Sequence, residues 1–141
     1  MKHYISKSQH QTIKIAKAFA KKLKGGDILI LNGEMGAGKT AFTKGAALGL
    51  EIFELITSPT FTIINSYEGK FKLYHFDMYR IQNINEALEA GILDCFNENS
   101  ICIIEWPEKI KEILPKKYYQ VNIKIISENE RGITIYENLG N

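Results

Sequence analysis

Eight consecutive residues, Gly33-Glu34-Met35-Gly36-Ala37-Gly38-Lys39-Thr40, have the types and spacing to hold a phosphate chain. They fit the pattern G-x-x-x-x-G-K-[ST], in which glycines let the backbone turn tightly and bring its N–H groups against phosphate oxygens. Lys39 is placed to reach β- and γ-phosphates, and the Thr40 hydroxyl to serve Mg²⁺. The flanking residues support this reading. Ile28-Leu29-Ile30-Leu31 reads as a buried strand before the loop. Ala41 opens a helix after it that runs to about Leu48 and points its positive end at the same anion.

A loop of this kind works with acids on neighbouring strands. Glu105 ends the apolar run Ile101-Cys102-Ile103-Ile104, where a carboxylate can hold Mg²⁺ directly or through water. Asp77 follows Tyr74-His75-Phe76 at the end of another strand and either orients a water beside the γ-phosphate or caps a turn. His75 alternates with apolar neighbours and reads as a hydrogen-bonded structural histidine before it reads as a base. Ser58-Pro59-Thr60-Phe61-Thr62 lies after the loop's helix, where nucleotide switches keep a hydroxyl that senses γ-phosphate, so Thr60 joins the nucleotide-binding candidates. Trp106, the one tryptophan, follows Glu105 and would report on the site by its fluorescence.

The elements that must position these groups can be traced in order. Ser8 caps a helix from about Gln9 to Leu23, with Ile13, Ala16, Phe19, Ala20 and Leu23 at helical spacing. Lys14, Lys17, Lys21 and Lys24 lie on another face of it, either solvated or against a partner or RNA. Gly25-Gly26-Asp27 ends that helix. Phe61 to Tyr67 and Lys70 to Phe76 flank the turn Glu68-Gly69 as a β-hairpin, and a short helix follows around Asn85 to Ala90. Ile101–Ile104 reads as a strand buried on both faces, Pro107 opens a short helix through Ile113, and Tyr119–Ile126 and Gly132–Tyr136 are the last strands. Hairpins among α/β elements give an α/β fold with a mixed parallel and antiparallel sheet.

Length and composition fit that architecture. The 141 residues are expected to make a single domain, 1–141, with a three-layer core. A formal charge of +2 is too small to argue for nucleic acid by itself. Cys95 and Cys102 lack metal-site spacing and read as buried free thiols, which suits a reducing cytoplasm. Met1 to Ala20 is not a signal peptide, and no stretch approaches the about 18 apolar residues of a membrane span.

Taken together, these residues resemble the bacterial TsaE family of tRNA threonylcarbamoyladenosine biosynthesis ATPase subunits, formerly called YjeE. The matching blocks, in chain order, are Gly33 to Thr40, Ser58-Pro59-Thr60-Phe61, His75-Phe76-Asp77-Met78-Tyr79-Arg80 and Ile104-Glu105-Trp106-Pro107. The first is shared with many unrelated NTPases, whereas the last two at these separations are specific. The resemblance implies a small P-loop NTPase-like fold and ATP hydrolysis that supports a TsaB–TsaD complex. That complex transfers a threonylcarbamoyl group onto N6 of adenosine 37 in tRNAs reading codons that begin with A. It also implies that the loop binds the phosphates, that Thr40 and Glu105 serve Mg²⁺, and that Asp77 is needed for hydrolysis. Ser8-Gln9-His10-Gln11-Thr12 resembles the family's stretch near the adenine, with Gln9 as the contact, and Arg131 matches a C-terminal nucleotide contact. Contact with tRNA is expected to be indirect or weak.

Two other functions compete. A small-molecule kinase would share the loop, but its lid commonly closes on phosphates with several arginines, and here the chain holds Arg80 and Arg131 alone. A GTPase would need a guanine reader of the Asn-Lys-x-Asp type, which does not occur. A nucleotide-dependent binding switch, with hydrolysis incidental, is the remaining alternative.

Overall fold

The computed structural model describes residues 1–57 and 63–140. Seven strands, β1 (Lys2–Ser6), β2 (Ile28–Asn32), β3 (Ile64–Tyr67), β4 (Lys72–Asp77), β5 (Ser100–Glu105), β6 (Lys117–Ile125) and β7 (Arg131–Leu139), form one sheet in the order β1-β7-β6-β2-β5-β4-β3. The central pairs β4–β5, β5–β2 and β2–β6 are parallel, and β3–β4, β6–β7 and β7–β1 are antiparallel. This is the mixed α/β sheet expected from the sequence. All six residues of β5 are buried, which explains its unbroken apolar run.

Side-chain alternation divides the interior into two cores. Leu29 and Leu31 of β2, Ile101 and Ile103 of β5 and Leu73 of β4 meet helices α1 (Gln9–Ala20) and α2 (Lys39–Gly49) on one face. Ile28, Ile30, Phe76, Cys102 and Ile104 point the other way. They pack under α3 (Ile84–Glu89), α4 (Ile92–Cys95) and the 3₁₀ helix Pro107–Ile113. Both cysteines are free and buried in this second core, and burial pushes each thiol above its ordinary range. Neither is therefore poised as a nucleophile.

Local sequence accounts for the ends of α1. The Ser8 hydroxyl accepts from Gln11 N–H at 3.1 Å while the Gln11 side chain accepts from Lys7 N–H at 2.7 Å, a variant of the reciprocal capping box. The buried Ser6 hydroxyl contacts Thr12 Oγ1 at 2.7 Å, tying β1 to the first turn of the helix. The helix stops at Ala20, earlier than the expected Leu23. There Lys22 N–H and Leu23 N–H bond back only three residues, to Phe19 O and Ala20 O, so the chain tightens into a turn while Leu23 stays buried. In the hairpin, β4 runs from Lys72 to Asp77 instead of the expected Lys70 to Phe76, and the expected start of the preceding strand, Phe61 and Thr62, lies outside the described residues. The last two strands are longer than expected, because β6 and β7 pair continuously from Lys117 with Leu139 to Ile125 with Arg131.

Helix α1 lies close along α2 because the contact is lined with small residues. A Cβ on Gly45 would run into Ile13 O and come within 2.7 Å of Ala16 Cβ, and one on Gly49 would lie 2.8 Å from Ala20 Cβ. Since α2 starts at the glycine-rich loop, this contact sets the loop's position relative to the rest of the fold. Gly45→Ala should lower the unfolding free energy by about 1–3 kcal/mol in a denaturant titration, through overpacking against backbone that cannot yield. Gly132→Ala, whose Cβ would meet nothing closer than Ile126 Cδ1 at 3.4 Å, should cost less than about 1 kcal/mol in the same titration.

Candidate functional site

The loop from Gly33 to Gly38 joins the end of β2 to the start of α2. Gly36 and Gly38 have φ of 82° and 106°, in the left-handed region that favours glycine, and a Cβ on either would meet nothing within 4 Å. Ala37 N–H bonds Glu34 O at 3.0 Å, which closes the turn, and the first helical bond of α2 runs from Phe42 N–H to Gly38 O. The positive end of α2 therefore lies at an open, concave stretch of backbone, the arrangement that binds phosphate. Glu34 and Met35 form the exposed tip, while Ala37 and Ala41 are buried beneath it.

Register brings the two candidate acids together. Leu31 at the end of β2 lies opposite Glu105 of β5, and Asp77 of β4 lies opposite Glu105 on its other side. Parallel partners share a face, so Glu105 and Asp77 project to the α2 side, next to the loop. Glu105 is only 5% exposed, and each of its oxygens has a partner. Oε1 is 3.6 Å from Lys39 Nζ, and Oε2 accepts from His75 Nε2 at 2.6 Å. The Lys39 ammonium also sits 4.6 Å from the centre of the Trp106 ring, a cation–π contact. Trp106 holds a left-handed conformation, φ 55° and ψ 59°, although it is neither glycine nor asparagine and precedes a proline. Such a conformation costs about 1–2 kcal/mol, and it turns the chain sharply just after Glu105, where the indole meets both Lys39 and Tyr79.

Asp77 also shows the turn-capping role, since its Oδ1 accepts from Tyr79 N–H at 3.0 Å. The two readings coexist: that bond orients the carboxyl group while Asp77 still borders the cleft. Lys109, which no motif singles out, fixes the same turn. Lys109 Nζ donates to Tyr79 O at 2.9 Å and to Ile81 O at 2.5 Å. No local pattern marks Lys109, because its partners come from a distant segment.

The cleft in front of the loop has a volume of about 440 Å³ and is bordered by Lys39, Thr40, Asp77, Arg80, Glu105 and Trp106, with Gln9 at its edge. Behind the loop a further space of about 320 Å³ lies between Gln9, Gly38, Asn129 and Arg131, so Gln9 borders both. Arg131 reaches the loop itself. Its Nε donates to Ala37 O at 3.0 Å and its Nη2 to Gly36 O at 3.2 Å, while Nη1 donates to Ser127, Glu128 and Glu130 carbonyls. The guanidinium thus ties the loop backbone to the turn between β6 and β7. Thr60 lies outside the described residues.

The donor set suits Mg²⁺. Among the described residues no group of three or more His, Cys, Asp or Glu side chains could hold a metal alone. Thr40 and Glu105 instead offer two hard oxygen donors beside a phosphate cradle, and Mg²⁺ typically takes one or two protein oxygens and completes its shell with phosphate and water. Among the described residues no helix is long and apolar enough to cross a membrane.

Comparison with known proteins identifies the family and the fold. Residues 6–133 match the family described as "Threonylcarbamoyl adenosine biosynthesis protein TsaE". A tRNA threonylcarbamoyladenosine biosynthesis protein TsaE from Treponema pallidum is 36% identical over 131 residues, covering 93% of this chain and 97% of that protein. The protein of the same name from Bacillus subtilis is 46% identical over 125 residues, covering 88% of this chain and 78% of its own. The crystal structure of Bacillus subtilis YdiB superposes with a TM-score of 0.80 at 38% identity, covering 99% of this chain and 86% of that one.

The Arg131 clasp yields a direct test. Arg131→Ala removes both bonds to the loop and, if the loop binds phosphate as its geometry suits, should lower affinity for inorganic triphosphate about tenfold in calorimetry, roughly 1.4 kcal/mol. Arg131→Lys should recover only part of this, because one ammonium cannot span carbonyls that a planar fork reaches together.

Proposed function

Because this chain belongs to the TsaE family, we propose that it is an Mg²⁺-dependent ATPase. Its turnover supports threonylcarbamoylation of adenosine 37 in tRNAs that read codons beginning with A, acting with TsaB and TsaD homologues in the cytoplasm. The observation that carries the reading is the convergence of Lys39, Glu105 and Asp77 on one cleft in front of the loop, each from a different element. Loop amides and the end of α2 hold the phosphates, and Lys39 leaves Glu105 to join them. Thr40 and Glu105 would hold Mg²⁺, which would supply neutralisation of phosphate charge. Asp77, oriented through Tyr79 N–H, aligns a water for in-line attack on the γ-phosphorus, with ADP as leaving group.

Among the charges beside the loop, Lys39 and Arg80 border the cleft, and Arg131 is occupied by carbonyls behind it. Developing charge on the γ-phosphate is thereby only partly stabilised until a partner orders the site or adds charge beside it. Slow turnover alone and faster turnover in the complex follow from this.

Steady-state phosphate release from the purified chain, alone and with TsaB and TsaD homologues plus tRNA, tests the proposal. Acceleration of about tenfold or more is expected, equivalent to roughly 1.4 kcal/mol of added transition-state stabilisation. Equal rates at saturating partner would contradict it and favour a binding switch. Lys39→Ala should abolish productive ATP binding in calorimetry, whereas Asp77→Ala should keep MgATP and lose hydrolysis, a split that separates holding phosphate from aligning water.

A further inference from the structure

His75 is 1% exposed on β4, two residues before Asp77. Its Nε2 meets Glu105 Oε2 at 2.6 Å, and its Nδ1, also buried, has no hydrogen-bond partner among the described residues. A histidine kept only for packing would be expected to satisfy both ring nitrogens, since an unpaired buried nitrogen is costly. Among the described residues the ring's polar contact is the Glu105 carboxylate. A carboxylate only accepts, so Nε2 carries the hydrogen and donates it. That bond occupies Oε2 and leaves Oε1, the oxygen facing Lys39, as the one that can change partner.

The two contacts of Glu105 come from different parts of the fold. His75 is built into the sheet, opposite Ile103 in the β4–β5 ladder, and stands on the same face as Glu105, one step behind it. Lys39 sits at the head of α2, on the loop that receives phosphate. When the lysine moves to a phosphate, the sheet-borne contact remains in place.

We infer that His75 is a positioning residue that holds Glu105 by Oε2, so that Oε1 exchanges Lys39 for the Mg²⁺ side of the site without loss of orientation. This rests on the proposed reading of Glu105. A partner of this kind behind a metal-binding side chain is typically worth about 10–100-fold in metal affinity. It acts through Glu105 and touches neither nucleotide nor metal.

ATP binding to the full chain, measured by calorimetry in metal-chelating buffer and across a Mg²⁺ series, tests the inference with His75→Asn and His75→Gln. The Gln amide can extend to the place of Nε2, and the shorter Asn amide cannot, while both keep a polar group in the site. His75→Asn should raise the Mg²⁺ concentration for half-maximal tightening about tenfold, His75→Gln should stay within about threefold of the unaltered protein, and metal-free ATP affinity should be the same in all three. An unchanged Mg²⁺ midpoint in His75→Asn overturns the inference. So does equal weakening of both variants with metal-free binding also lost, which marks a packing role. If the unaltered protein binds ATP with no Mg²⁺ dependence, the reading of the site itself falls and the role of His75 with it.

Discussion

The carboxylate of Glu105, held between Lys39 and His75, is the interaction on which the site depends. The lysine and the glutamate are 11% and 6% exposed in their side chains, so neither is well solvated and each relies on the other and on its His75 or Trp106 contact. Removing either leaves a poorly compensated charge at the end of a buried strand. On the proposed function, a phosphate ligand would change the balance: it would offer Lys39 a stronger partner, and a divalent cation arriving with it would offer Glu105 one as well. Both partners can then be exchanged in a single binding event.

The rest of the fold can be understood as what keeps that carboxylate in place. Three parallel strands bring Leu31, Glu105 and Asp77 level, and the turn after Glu105 is forced by the left-handed Trp106. Helix α2 carries Lys39 to the site, and its height over the sheet is fixed by the small residues through which it meets α1. From behind, Arg131 binds the loop's carbonyls, and from the side Lys109 binds the turn after Asp77. Separate segments of the chain thus restrain groups that border one cleft. This is the preorganisation a phosphate site requires if its dipoles are not to reorganise during reaction.

Much of this was legible in the sequence, for physical reasons. The loop's chemistry restricts contiguous residue types, and a strand buried on both faces has to be an apolar run, so the loop, β2, α2, β5 and the place of Glu105 could all be read directly. Strand β1 was not. It is an edge strand with four of five residues at least partly exposed, and it carries no alternation to detect. The short α4 and the true end of α1 were missed because hydrogen bonds over three residues leave no periodic trace. Arg131 was expected at the nucleotide through resemblance, and its bonds to loop carbonyls depend on the β6–β7 turn, which sequence spacing does not reveal. His75 looked structural because its alternation places it in the interior. What gives it meaning is register with a strand some distance along the chain.

The central claim is that Glu105 restrains Lys39 until nucleotide arrives and then serves the metal side of the site. ATP binding to Glu105→Gln in metal-chelating buffer tests it most directly. The amide keeps an oxygen for His75 to donate to but removes the charge that holds the lysine. Metal-free ATP affinity should therefore rise about fivefold or more, roughly 1 kcal/mol, with Mg²⁺ adding little. Unchanged or weaker metal-free binding in Glu105→Gln would contradict the account.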